Sequence, residues 1–448
     1  MARRTCAMVA FCWLTLAGTA AAQEQVSTNP SEVDPLGSLK GIPLSSDGSV
    51  KVSLGGQLRI RPELSDRPVF GLAKPEHNEA LLTRSFLSAD FSLGPYLRSF
   101  VEVGSGQAPI WNGVPPATQL DRFDLMQGFG ELTLPQRSGA LIFRAGRQEM
   151  SFGSSRLVSV RDSPNIHRAF DGVRVAWTQS PDTRIDAFIV RPVLPQSGVF
   201  DDKSDPGQAF WGIYATAPVP HLSSLKVDFY YLGLDRADAA FAQGTSAEHR
   251  QTLGTRLFGK ASDFDWNVEA AYQFGRFGRA DIQAWSVSAE FGYTFEGMPL
   301  SPRIGLNADA ISGDRNLRDT TLQTFNPTFP RLPYFSEANL FAPANLIDVQ
   351  PNLTVTPAKN VTLTIGWNPL WKESEADAFY GPAITPVAGT AGGTGRYVGQ
   401  QLSTTLNWKP TKHLTIGGTY VNYAPGQRLQ RAGGTSGSFA AAWATISF

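Results

Sequence analysis

Polar and apolar residues alternate one by one along most of this chain, the period-2 pattern of β-strands with two chemically different faces. In "DFDWNVEAAYQF", Asp263, Asp265, Asn267, Glu269 and Gln273 fall on one face. Phe264, Trp266, Val268, Ala270, Tyr272 and Phe274 fall on the other. "PRIGLNADA" sets Arg303, Asn307 and Asp309 against Ile304, Leu306 and Ala308, and "NVTLTIGWN" sets Thr362, Thr364 and Asn368 against Val361, Leu363, Ile365 and Trp367. Eighteen strands are expected, at 50–63, 79–93, 95–104, 122–134, 139–148, 170–178, 183–192, 209–217, 224–234, 248–259, 263–275, 281–295, 301–312, 346–357, 360–371, 396–408, 413–423 and 438–448.

The connections alternate in length. Those after even strands are short, such as "GP", "SPD", "ASD" and "PTK". Those after odd strands are mostly long: 64–78, 105–121, 149–169, 193–208, 235–247, 313–345, 372–395 and 424–437, with a short exception near Arg276. Tight turns at one rim and long loops at the other describe an all-β, transmembrane, antiparallel up-and-down barrel. A soluble sandwich or propeller would bury the Trp/Phe/Val face and could not also carry Arg, Asp and Glu inward. The final strand ends on Phe448, a terminal aromatic suited to reading by the barrel-assembly machinery at the periplasmic rim.

An Arg or Lys facing lipid at the bilayer midplane costs about 2–4 kcal/mol, so mid-strand charges are expected to face the lumen. That assigns Arg59, Arg61, Arg84, Asp90, Arg98, Glu102, Arg174, Arg184, Asp186, Lys226, Asp228, Arg250, Arg256, Glu290, Arg303 and Asp309 inward, with Leu54, Leu58 and Ile60 outward. Sixteen- to eighteen-stranded porins leave an aqueous channel, and rings of Arg or Lys in a pore select anions. Acids on the same wall imply that some of these arginines are ion-paired.

The first residues add a destination. Arg3 and Arg4, an apolar core and Ala20-Ala21-Ala22 read as a secretory signal over 1–22, cleaved near Ala22. A short periplasmic segment, 23–49, would follow, and then the barrel over 50–448. No apolar run outside the signal is long enough for a membrane-spanning helix. Both cysteines, Cys6 and Cys12, lie in the signal, so no disulfide framework is available afterwards. The chain carries 39 basic and 39 acidic residues, a balance that argues against nucleic-acid binding.

Against that balance, residues 144–174 hold six arginines (Arg144, Arg147, Arg156, Arg161, Arg168 and Arg174) and three acids, Glu149, Asp162 and Asp171. "RAGRQEMSFGSSRLV" followed by "NIHRAFDGVRV" resembles the alginate export family of outer-membrane porins, whose pattern is an R-x-G-R-Q strand end, a glycine and an arginine, then an aromatic-Asp-Gly. "GGQLRIRPEL", with Arg59, Arg61 and Glu63, is similar to the family's first strand, and "TFNPTFPRLPYFSEANLFAPANLID" to its aromatic and proline-rich segment. The resemblance implies a monomeric eighteen-stranded barrel in the Gram-negative outer membrane and passive passage of anions, polyuronate being the best-known cargo.

It also implies pore roles for Arg59, Arg61, Arg144, Arg147, Arg156 and Arg174. Arg84, Arg250, Arg256 and Arg303 join these candidates from the wall. Gln148, Asp171 and Gly172 are expected to shape the loop and its turn, and Asp162 and Asp171 to pair with loop arginines. Guanidinium forks replace carboxylate hydration, and a ladder of modest sites lets an anion bind and still leave. Smaller organic anions, such as sugar acids or aromatic carboxylates, are alternative cargoes, and loops 193–208 or 313–345 are placed to plug or gate the pore.

Two other functions compete. One is a closed structural barrel whose outer loops bind a partner. The other is a barrel hydrolase, but His77, His167, His221, His249 and His413 accompany no G-x-S-x-G nucleophile motif. The spacing of His, Asp and Glu indicates no metal site, and no cofactor is implied.

Overall fold

Eighteen long antiparallel strands close into one ring in the computed structural model, which describes residues 36–448. They are β1 (Val50–Asp66), β2 (His77–Leu93), β3 (Leu97–Ile110), β4 (Asp121–Gln136), β5 (Gly139–Glu149), β6 (Ala169–Ser180), β7 (Thr183–Leu194), β8 (Gln208–Val219), β9 (Leu222–Phe241), β10 (Gly244–Ala261), β11 (Phe264–Phe277), β12 (Ala280–Thr294), β13 (Arg303–Ile311), β14 (Leu346–Ala358), β15 (Val361–Trp371), β16 (Tyr397–Trp408), β17 (Leu414–Pro425) and β18 (Gly437–Ser447). Each pairs with its sequence neighbours, and β18 pairs with β1 from Gln57↔Ser447 to Asp66↔Ser438. Phe448 extends that seam through reciprocal 3.0 Å bonds with Gly56. Closure leaves no strand edge, as a barrel in hydrocarbon requires. Among the described residues, no helix is long and apolar enough to cross a membrane. The expected signal, 1–22, lies outside the described residues. Of the expected periplasmic segment, 36–49 is described, and Ile42–Pro43 pairs back onto Val52 and Lys51 of β1.

The alternation has the predicted sense. Leu58, Phe229 and Trp367 are 49%, 61% and 47% exposed on the outer face, whereas Arg59, Asp228 and Arg250 are buried inside the ring. One expectation fails. Residues 235–247 are not a long loop: β9 and β10 stay paired through this region to Phe241↔Gly244, with one register shift between Arg236 and Ala239. The reason is packing above the bilayer. Phe241 lies edge-on to Phe277 and Tyr380, so the extended hairpin has an apolar face of its own.

Most remaining long connections, including 150–168, 312–345 and 372–396, fall at the outer rim, and several fold back into the ring. Met150, Phe152, Leu157 and Val158 from the first, with Phe325 and Phe329 from the second, pack on wall residues Phe170, Phe188, Phe210 and Tyr214. A second apolar cluster near the mouth joins Phe70, Leu340, Phe341, Phe379 and Leu429. The lumen is therefore partly filled by its own loops.

The fold makes a direct prediction about which face meets lipid. Leu58→Arg should lower stability by about 2–4 kcal/mol, and Leu58→Phe by less than about 1 kcal/mol, in equilibrium unfolding from lipid bilayers.

Candidate functional site

Connection 150–168 crosses the lumen. At one end, Arg59 of β1 donates to Asp162 O (2.8 Å), Ser163 O (3.1 Å) and Pro164 O (3.0 Å). Beside it, Arg84 of β2 donates to Asp162 Oδ1 at 2.7 Å and contacts His167 Nε2 at 2.8 Å. Asn165, fully buried, donates from Nδ2 to Thr83 O, Gln107 O and Gln119 O at 3.0–3.1 Å. At the other end, Arg156 pairs with Glu269 of β11 at 3.3 Å and Glu290 of β12 at 2.9 Å. Strands β2 and β11 stand nine places apart in a ring of eighteen, so the two fastenings lie on opposite walls. The connection is a strap spanning the pore's diameter.

Connection 312–345 runs alongside the strap. Phe329 N bonds Leu157 O (2.9 Å), Arg331 N bonds Ser155 O (2.8 Å) and Ser163 N bonds Leu332 O (3.3 Å). Glu337 accepts from both Arg61 Nη2 (2.9 Å) and Ser163 Oγ (3.0 Å). Of the two loops expected to plug or gate, 313–345 does enter the lumen. The other, 193–208, is mostly connection 195–207 and docks on the outer end of β4 through Phe200 N and Phe123 O (3.0 Å).

The candidate arginines are mostly engaged. Arg61 pairs with Glu63 and Glu337, Arg84 with Asp162, Arg144 with Glu131, Arg147 with Asp171 and Arg156 with Glu269 and Glu290. Arg174 pairs with Asp186, Arg250 with Glu248, Arg256 with Asp228 and Arg303 with Asp265. Among the described residues, Arg59 has no carboxylate at salt-bridge distance, but loop carbonyls occupy its Nη donors. Arg144 keeps some exposure and lies with its guanidinium 4.0 Å from the Phe129 ring centroid.

Two strap residues stand apart. Arg161 donates Nε to Pro330 O at 3.0 Å, and Arg168 lies 5.3 Å from the Phe329 ring centroid. Among the described residues, neither has a carboxylate at salt-bridge distance. The pairing expected for them does not form, because Arg84 and His167 hold Asp162 while Arg147 and Ser204 hold Asp171. Burial and the neighbouring Arg168 charge push the Arg161 guanidinium well below its ordinary value. Burial likewise pushes Arg168 down to about 10. Both cations sit where a negative charge would be welcome. Sequence spacing could not single them out, since their carboxylate neighbours are claimed by residues distant in sequence.

The family-like turn has a steric basis. Gly146 and Gly172 face each other across β5 and β6 at φ +130° and +155°. A Cβ would meet Gly128 O at 2.2 Å from the first and Ile189 O at 2.3 Å from the second. Gln148, fully buried, donates from Nε2 to Gly172 O at 3.4 Å.

Three of the histidines have carboxylate partners. His167 Nδ1 contacts Glu149 at 2.7 Å and Nε2 contacts Asp162 at 2.9 Å, leaving neither ring nitrogen available to activate a nucleophile. His77 pairs with Asp66 and His249 with Asp235.

The alginate export family model matches residues 50–442. The chain belongs to the alginate export family. Among solved structures, this family member resembles Pseudomonas aeruginosa OccK3 (OpdO), with a TM-score of 0.60 at 11% identity over 89% of this chain and 95% of that one. It also resembles P. aeruginosa OccK2 (OpdF), solved in complex with glucuronate, with a TM-score of 0.58 at 10% identity over 89% and 98%. P. aeruginosa OpdK with vanillate gives a TM-score of 0.57 at 10% identity over 88% and 98%. No curated protein matches the chain. Fold and family together make the protein an outer-membrane channel of the Gram-negative envelope.

The strap's fastening should respond to pH. Burial alone would lower the His167 pKa, but Glu149 and Asp162 outweigh it and the value lies above the usual one. A raised folded value means the contribution is complete below the unfolded pKa of about 6.5 and is lost as pH rises through the folded value. Hydrogen-exchange protection of amides 158–168, corrected for intrinsic rate, should fall from neutral pH to about 9 and stay flat in His167→Gln. Asp162→Asn, which leaves Arg84 without its carboxylate, should cut that protection by about tenfold to a hundredfold, or ~1–3 kcal/mol.

Proposed function

We propose that the protein is a passive, anion-selective channel for carboxylate-bearing cargo, and that Arg161 and Arg168 on the strap are its principal anion contacts. The observation that carries this reading is the contrast between them and the wall. The paired wall arginines would have to exchange a protein carboxylate for one on the cargo. Arg161 and Arg168 have no carboxylate among the described residues to give up. Bidentate guanidinium contacts compensate a carboxylate for lost hydration, and a site with few contacts lets it leave again.

Uronate polymer is the cargo most in keeping with the family, and single sugar acids or aromatic carboxylates fit the same chemistry. The glucuronate and vanillate in two structural neighbours are both carboxylates, although at 10% identity they inform only the range of ligands tested. A single chain completes the barrel and needs no second copy to line the lumen, in keeping with a monomer. A barrel closed by its strap is the second reading, favoured by the two loops filling the lumen.

Planar-bilayer recording under a salt gradient separates the readings. Wild type should conduct and prefer chloride over potassium. Arg161→Glu with Arg168→Glu should reduce that preference by about 3–10-fold, and glucuronate should block wild type more than the variant. Unchanged selectivity in a correctly folded double variant sinks the strap site. Negligible current in wild type, restored by deleting strap residues, indicates the closed barrel.

A further inference from the structure

The outer end of β4 carries a second charged site, opposite in sign to the strap. One carboxylate oxygen from each of Asp121, Asp124 and Asp202 lies within 4.8 Å of the other two. Asp121 and Asp124 belong to β4, and Asp202 belongs to connection 195–207, which is why spacing along the chain indicated no metal site. Asp124 has hydrogen-bond partners: Leu125 N (2.7 Å) reaches Oδ1, and Asp201 N (2.7 Å) and Asp202 N (3.0 Å) reach Oδ2. Asp202 Oδ1 accepts from Gln196 N at 2.6 Å.

Asp121 is the anomaly. It is 0% exposed, and neither of its side-chain oxygens accepts a hydrogen bond of good geometry, Phe123 N offering only a weak contact. A buried carboxylate without a partner is strongly unfavourable. Arg147 does not resolve the imbalance. Its Nη1 stands 3.8 Å from Asp124 Oδ1, while Nε and Nη2 are committed to Asp171 at 2.9 and 3.2 Å.

We infer that Asp121, Asp124 and Asp202 form a calcium site that fastens connection 195–207 to the outer end of β4. The chemistry favours that ion. Calcium takes oxygen ligands at about 2.3–2.6 Å and tolerates irregular geometry. Two ligands on opposite sides of it therefore stand about 4.6–5.2 Å apart, which accommodates the observed spacing. Asp121 would provide two free oxygens and Asp202 its Oδ2. Asp124 joins them while still holding the loop backbone, and water would complete the shell. The ion would satisfy the carboxylate that the protein leaves unpaired.

The site differs from the strap in location and in sign, so its failure would leave the proposed channel function untouched. It also has its own readout. Lys203 is exposed on the fastened connection and precedes Ser204, a bond trypsin can cut. With the full chain refolded in detergent, stripped by chelator and titrated with calcium chloride, calorimetry should show one tight calcium per chain. Calcium should slow cleavage after Lys203 several-fold.

Asp121→Asn and Asp202→Asn should each weaken calcium binding by about tenfold or more and abolish the protection. In chelator, Asp121→Asn should be cut no faster than wild type, because it removes an unpaired charge. A merely structural Asp121 would instead give faster cleavage with and without calcium. Should Asp121→Asn fail to fold, judged by its heat-modifiable gel mobility, Asp202→Asn on the loop decides alone. No calcium binding by wild type, or wild-type binding by the decisive variant, overturns the site.

Discussion

Every backbone N–H and C=O in hydrocarbon needs a partner, and no guanidinium can stand cheaply against lipid. These constraints act on the same strands. The first closes β18 onto β1. The second turns the strand charges inward, where they meet one another at close range. Glu131 faces Arg144 directly across β4 and β5, and Asp228 faces Arg256 across β9 and β10. Most wall arginines consequently serve the wall, and their presence in a pore is not evidence that they touch cargo.

Where strand pairing brings like charges together, a loop resolves the conflict. Arg59 and Arg84 face each other across β1 and β2, an unfavourable arrangement for two cations. The strap brings the carbonyls of Asp162 and Pro164 and the Asp162 carboxylate between them. Burial alone would raise the Asp162 pKa, but Arg84 and His167 hold it well below the usual carboxylate range. The same device appears at the mouth, where Lys372 donates to Glu375 O, Asp377 O and Thr390 O at 2.7–3.0 Å. Loops with little regular structure are thus held by buried cations gathering their carbonyls. Such a strap is fixed at its ends by charge while its middle rests on packing against the second loop.

The barrel was legible in the chain because its cause is local. Side chains alternate with period 2, lipid tolerates one class and not the other, and the strand spans follow within a few residues. The error at 235–247 arose where the apolar face of a hairpin meets a loop instead of lipid, through Phe241 and Tyr380. The site was less legible because partnership depends on register and on loops returning from afar. Nothing near Arg156 in the chain announces Glu269 or Glu290. Nothing near Asp121 announces Asp202. Arg161 and Arg168 have Asp162 adjacent and Asp171 close by in the chain. Among the described residues they have no carboxylate at salt-bridge distance, because Arg84 and Arg147 hold those acids.

Pairing also determines what the proposed channel can do energetically. A cargo carboxylate that approaches Arg144 competes with Glu131, whose oxygen is already 2.6 Å from Nη2. The gain at one anion is then largely the loss at another, and the exchange leaves Glu131 needing a new cation. At Arg168, the face toward Phe329 is apolar and no carboxylate must be displaced, so an incoming anion recovers the electrostatic energy that burial removed from the guanidinium. Selectivity under this reading is concentrated on the strap, while the paired wall stays close to neutral. A neutral wall also avoids the deep, continuous attraction that would trap a polyanion along its whole length. The near-zero net charge of the chain is therefore compatible with an anion channel, because the charge that counts is the small fraction the protein has not already neutralised.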